Sequence, residues 1–184
     1  MTRLSGTVQP NPGYTPVVDD AGGLGELTQV DRRGARHAAE TLSRAFADYP
    51  MIRHYFPDEA EARALAMHFF HMGVASGVRL GEVYAASPAM EGVAVWFPPG
   101  GYPPSFLSRL VSVPFRSLLG FLFSGGAAMR LVREHFDRRH SELMQRTHWY
   151  LETLGVDPAY QGKVYSSRLV RAMYPRADAQ SLPT

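Results

Sequence analysis

The chain has 184 residues, 45% of them hydrophobic and 20% charged, which fits one globular domain with a real core and excludes both global disorder and two comfortable domains. It has no cysteine, so disulfides, thiolate metal sites and cysteine nucleophiles are excluded, in keeping with a reducing cytoplasm. The formal charge is only +2 although the pI is near 9.0, so no strong polyanion field exists and no nucleic-acid partner is expected.

Residues 1–25 are rich in proline and glycine and read as a flexible tail or linker, wrapped on the domain at most. Glu26 to Asp31 is a short strand candidate, and Asp31 then serves as the N-cap of a helix to about Ala47. Ala35, Ala38, Ala39, Leu42 and Phe46 form its apolar stripe, and Tyr49-Pro50 stops it. A second helix runs from about Asp58 to Ser76. His68 and His71 lie three apart on it, but no third ligand is placed to complete a metal site, so none is expected.

Gly81 to Ala86 and Gly92 to Phe97 read as two strands about a turn at Ser87-Pro88. Tyr102 to Arg146 is helical and split at Gly125-Gly126, with Met129, Val132, Phe136, Leu143 and Met144 expected to face inward. The run Phe106 to Phe123 contains Arg109, Pro114 and Arg116, which makes it a poor membrane span. His148 to Val156 is a strand rich in aromatic and branched residues. A turn at Asp157-Pro158, a small-residue loop and a helix from about Ser166 follow, with Pro175 kinking or ending that helix. The order predicts an α/β (α+β) domain on a mixed, mainly antiparallel sheet flanked by helices.

The informative stretch is His148 to Lys163: a strand running into a tight loop at a helix N-terminus. Such a loop gathers several backbone N–H groups in one concavity, and the helix dipole adds partial positive charge, so a pyrophosphate fits. Lys163, the single lysine of the chain, stands in that loop. On the same strand, Glu152 is a candidate to polarise a water that deprotonates an amine, and Tyr150 and His148 share its face by period two.

The strand ending Leu154-Gly155-Val156-Asp157-Pro158, followed by Gln161-Gly162-Lys163, resembles the fourth strand and pyrophosphate loop of the GNAT superfamily of N-acetyltransferases. The resemblance covers residues 26–180 in element order, and its specific part is Trp149 to Leu169. It implies a GNAT-like domain over 26–184, with a helical insertion at about 102–146 before the fourth strand. It implies acetyl-CoA as co-substrate and, as acceptor, the amine of a small molecule or peptide. Leu154, Gly155 and Val156 would face the pantetheine arm; Gln161, Gly162, Lys163, Val164, Tyr165 and Ser166 would line the phosphates, with Ser167 at the edge. The family's loop reads Gln/Arg-x-x-Gly-x-Gly/Ala, whereas here Val164 and Ser166 stand at the two small-residue positions. Valine there implies weakened cofactor binding, through strain if the backbone is left-handed and through methyl groups in phosphate space. The family also continues past the loop helix with further strands. On that basis the domain is partial, either completed by a second copy as a homodimer or reduced to a non-catalytic module for CoA binding or oligomerisation.

Overall fold

The computed structural model describes residues 14–16, 27–55, 58–104, 113–123, 126–144 and 146–183. Gly22–Gly25 and part of the apolar run from Phe106 lie outside them. Five strands, β1 (Tyr14–Pro16), β2 (Thr28–Val30), β3 (Glu82–Ala85), β4 (Gly92–Phe97) and β5 (Tyr150–Val156), form one sheet in that order, every neighbouring pair antiparallel. The segment 14–16 therefore lies along the β2 edge of the sheet.

Two helices cover one face of the sheet, α1 (Ala35–Ala45) and α3 (Glu59–Leu80), with a short α2 (Pro50–Tyr55) between them. Asp31 starts the first by accepting the Arg33 and Gly34 N–H groups at 2.8 and 3.0 Å, so the helix proper begins four residues later than Asp31. Pro50 does not simply end α1; it opens α2, where its missing N–H is harmless. Asp58 caps α3 by accepting from Glu61 N–H at 2.9 Å. The apolar stripe of α1 meets α3, β3 and β4 in one core that includes Leu42, Leu65, Phe70, Val74, Val83 and Val95.

Close approach of α3 to the sheet depends on Gly77. A Cβ there would sit 2.5 Å from Val95 Cγ1 and 2.9 Å from Val83 Cγ2. Between β4 and β5 the chain forms α4 (Phe115–Phe123) and α5 (Gly126–Leu143). Helix α4 is tied to α3 through His71 Nδ1 and Ser117 Oγ at 2.7 Å.

The opposite face carries a second core, built from Trp96, Trp149, Leu169 and Met173 under α6 (Tyr165–Arg171) and α7 (Tyr174–Ala179). Pro175 sits in the first turn of α7, so it separates two short helices instead of kinking one. The end of the described chain also locks the start of β5, where Trp149 N–H donates to the Pro183 carbonyl at 3.1 Å and Trp149 Nε1 to Gln180 Oε1 at 3.0 Å. Leu143 and Met144 at the end of α5 point outward, not inward, and Phe136 is 55% exposed where it borders a cleft; the side chains of Met129 and Val132 lie outside the described residues. An amphipathic pattern fixes which residues share a face, and tertiary packing decides whether that face is covered. No helix among the described residues is long and apolar enough to cross a membrane.

Candidate functional site

Strand β5 is the last strand of the sheet, and it is bulged. Val95 pairs with Thr153 and Trp96 with Leu151, so Glu152 is an extra residue without an opposite number. A bulge bends its strand and re-aims side chains. Here Tyr150, Glu152 and Thr153 all border the same cleft, where strict alternation would have turned one of the last two away. Beyond the bulge, Gly155 lies beneath α1: a Cβ there would be 2.7 Å from Leu42 Cδ2 and 3.0 Å from Ala45 Cβ.

The cleft has a volume of about 270 Å³. Helices α1 and α3 form one wall, β4 and β5 its floor, and Tyr102, Phe136 and Asp137 the side nearest the helical pair. The segment between β4 and β5 thus contributes a wall. On the floor, Glu152 faces α3 at Gly73, whose missing side chain leaves the space; a Cβ there would stand 3.8 Å from Glu152 Oε2.

Tyr150 stacks on Tyr102 with ring centroids 3.7 Å apart, and Tyr102 Oη–H donates to Asp137. Behind them lies a second cavity, of about 250 Å³, lined by His140, His148 and the same two tyrosines. His148 Nδ1–H donates to the Arg146 carbonyl at 2.7 Å, so its Nε2 is left to accept from His140 Nε2–H at 2.8 Å. Burial, then the neighbouring His148, holds the His140 imidazole below its ordinary pKa, against a smaller opposing pull from Asp137.

The loop after β5 is built from Asp157 onward. Burial pushes the Asp157 carboxyl upward, but the Ala159 N–H at 3.0 Å and Arg44 at 2.6 Å outweigh it and hold the group below the usual carboxylate range. Gln161 Nε2 donates to the Val156 carbonyl at 3.1 Å, which closes the turn over Pro158–Tyr160. The left-handed position falls on Gly162, at φ +75°, with open space where a Cβ would be. Val164 has φ −78° and ψ 7° as the residue before α6, so valine carries no backbone strain there; its side chain is 66% exposed at the mouth of the loop. Lys163 Nζ lies 5.2 Å over the Tyr160 ring, and Tyr165 Oη–H donates to Glu91 Oε1 at 3.4 Å.

The expected site residues therefore fall into two groups. Tyr150 and Glu152, with Leu154, border the cleft, while Gln161 to Ser167 form the turn and first helical residues at the far end of β5. Asp157 lies five positions beyond Glu152, roughly 17 Å of extended chain. Gly155 and Val156 connect the groups, and Leu154 also packs into the second core. Sequence reasoning missed Arg44 and Glu91, which hold the loop from α1 and from the β3–β4 turn; the Glu91 carbonyl accepts Asp157 N–H at 2.8 Å. It missed Gly73 and Asp137 as well, because nothing local marks a residue as the wall opposite a strand.

No family model matches the chain. The chain is 26% identical over 163 aligned residues to an uncharacterized N-acetyltransferase of the fission yeast Schizosaccharomyces pombe (strain 972), in an alignment covering 84% of this chain and 65% of that protein. The chain thus spans less than two thirds of the length of the relative it matches. The likeness is distant and partial. It suggests membership of the GNAT superfamily, in agreement with the strand and loop of Trp149 to Leu169 and with an antiparallel sheet flanked by helices.

Proposed function

We propose that this chain is an N-acetyltransferase of the GNAT superfamily, moving an acetyl group from acetyl-CoA to the amine of a small molecule. The observation that carries the reading is one bulged edge strand, β5, that offers a carboxylate in a cleft at one end and a glycine turn into a helix at the other. Acetyl-CoA supplies the acetyl group and leaves as the free thiol. The open space at Gly162 fits close approach of a phosphate to backbone, and Lys163 adds a cation on the only lysine side chain of the sequence.

In this reading Gln161 through Ser167 hold the pyrophosphate, and Leu154, Gly155 and Val156 guide the pantetheine arm toward the bulge. Glu152, directly or through a water, takes the proton that the amine must lose. The amine nitrogen bonds to the thioester carbonyl carbon, the carbon–sulfur bond breaks, and the sulfur leaves as thiolate and is protonated. Tyr150, stacked on Tyr102, shapes the acceptor side of the cleft. A cysteine-free chain suits the reducing cytoplasm as the place of this chemistry.

A second reading is a cofactor-binding module without turnover. It is favoured by Val164, whose exposed methyl groups stand at the loop mouth where the family has glycine. Thiol release from acetyl-CoA in the presence of an amine panel separates the two. Amine-dependent release that falls by about 10²-fold or more in Glu152→Gln supports the transferase. CoA binding without amine-dependent release supports the module.

A further inference from the structure

This step rests on the transferase reading above, in which the turn after β5 grips the pyrophosphate. We propose that Thr41 and Met90 are positioning residues for that turn, closing a ring of bonds that presets the loop before the cofactor arrives.

The ring runs through three parts of the chain. Thr41 on α1 is fully buried, and its Oγ1–H donates to the Met90 carbonyl at 3.1 Å. Met90 is followed by Glu91, whose carbonyl accepts Asp157 N–H at 2.8 Å. The Asp157 carboxylate accepts Arg44 Nε–H at 2.6 Å, and Arg44 Nη2–H returns to Thr41 Oγ1 at 3.2 Å. The Thr41 hydroxyl thus donates and accepts at once, which no apolar side chain of the same shape can do.

Met90 is the strained member. Its backbone is left-handed at φ 56°, a costly arrangement for a residue with a Cβ, and its side chain is 1% exposed in the core that α1 and α3 share. Such a conformation persists only where its surroundings hold it. Ser87 holds it from the other side of the β3–β4 turn. The Ser87 carbonyl accepts Met90 N–H at 3.0 Å, while the hydroxyl accepts Ala89 N–H at 3.0 Å and donates to Glu91 Oε2 at 2.6 Å. What the strain secures is the direction of the next residue. Glu91 touches both ends of the loop, Asp157 through its carbonyl and Tyr165 through Oε1 at 3.4 Å. Gln161 to Val164 lie between those two anchors. A loop fixed at both ends loses little freedom when a phosphate binds, and that favours affinity. Glu152 stands toward the other end of β5, so the ring acts on cofactor capture and not on the reacting end.

The test uses the full chain. It reads CoA affinity by calorimetry, hydrogen exchange at Gln161 to Ser167 in the free protein, and acetyl-CoA kinetics. Thr41→Val keeps the shape and removes the hydroxyl. We expect it to speed loop exchange and to weaken CoA by about tenfold, the effect of one hydrogen bond in a charged network. It should raise KM for acetyl-CoA while changing kcat by less than about twofold. Thr41→Ser restores the hydroxyl and should restore both CoA affinity and slow exchange. Arg44→Gln opens the ring at a half-exposed side chain and serves if the valine protein does not fold; it too should speed loop exchange and weaken CoA. Gly77→Ala, which crowds α3 against the sheet outside the ring, should lower the Tm and leave CoA affinity unchanged. Equal CoA affinity in the wild type, Thr41→Val and Arg44→Gln would overturn the positioning role and leave the transferase reading intact. An equal loss in Gly77→Ala, or weaker CoA binding without faster loop exchange, would do the same. No CoA binding by the wild type would overturn the transferase reading and the positioning role with it.

Discussion

Val164 illustrates how a residue reads differently in sequence and in space. In the loop it stands where a glycine is expected, yet its backbone is right-handed, and the left-handed residue is Gly162 two positions earlier. What valine can still do is occupy space, since its side chain is exposed at the loop mouth. Val164→Gly is therefore expected to raise CoA affinity several-fold with little net change in stability, since the freer backbone of glycine is offset by its preference over valine at a helix N-cap. Calorimetry and urea denaturation read the two effects, and equal CoA affinity in both proteins would show the methyl groups to be harmless. Lys163 rests over Tyr160 and must swing from that ring to meet a phosphate. Lys163→Ala should weaken CoA by about five- to tenfold, less than a buried charged hydrogen bond because the site is open to solvent. Pantetheine, which lacks the phosphates, should bind both proteins alike; an equal loss for both ligands contradicts the assignment.

Among the elements, β5 and α1 are joined at a glycine. Any side chain at Gly155 meets Leu42, Ala45 and Phe46, so α1 would have to lift from the strand that floors the cleft. Gly155→Ala is expected to cost about 1–3 kcal/mol, as overpacking does, and to widen the cleft. Gly77→Ala, which pushes α3 into Val83 and Val95, should cost a similar amount. A shift in the urea midpoint measures each, with Gly73→Ala as the tolerant comparison; unchanged midpoints would mean the helices adjust freely. Strands β2 to β5, α1, α3 and the loop-to-helix junction were legible because alternation, a 3.6-residue stripe and glycine or proline punctuation are local signals, whereas β1 lies within the stretch read as a tail. Helix α2 was missed because Pro50 was read as a stop, whereas α1 has already ended at Ala45 and Pro50 opens a new helix. The bulge at Glu152 was invisible, since an extra residue shows only when the partner strand fixes the register. The cleft was invisible for the same reason: Phe46, Gly73, Asp137 and Glu152 come from four elements.

At the scale of the molecule, two imidazoles tie the helical pair to the rest. Burial, then Arg36 and His68, holds His71 below its ordinary pKa, and it joins Ser117 across α3 and α4. His140 on α5 is lowered in the same sense. A lowered folded pKa means the unfolded chain takes up protons that the folded chain refuses. Stability from these groups is thus fully present above the ordinary histidine value of about 6.5 and declines as pH falls below it. The Tm should drop between about pH 7 and pH 5, and His71→Asn should flatten that slope; a Tm independent of pH in this range contradicts the placement. Among the described residues the sheet ends at β5, beside which Pro183 takes up the Trp149 N–H, and an edge of this kind recruits further chain. Light scattering across concentration should show self-association that a charged residue at Leu151 reduces, and a concentration-independent monomer contradicts it.

The account depends most on the turn after β5 being the place where CoA is gripped. Amide hydrogen exchange of the full chain with and without saturating CoA tests this directly. The prediction is slowed exchange concentrated at Gln161 to Ser167 and along Leu154 to Val156, with little change in β2 and β3. Slowed exchange confined to the aromatic cleft, or none at any CoA concentration, would contradict it.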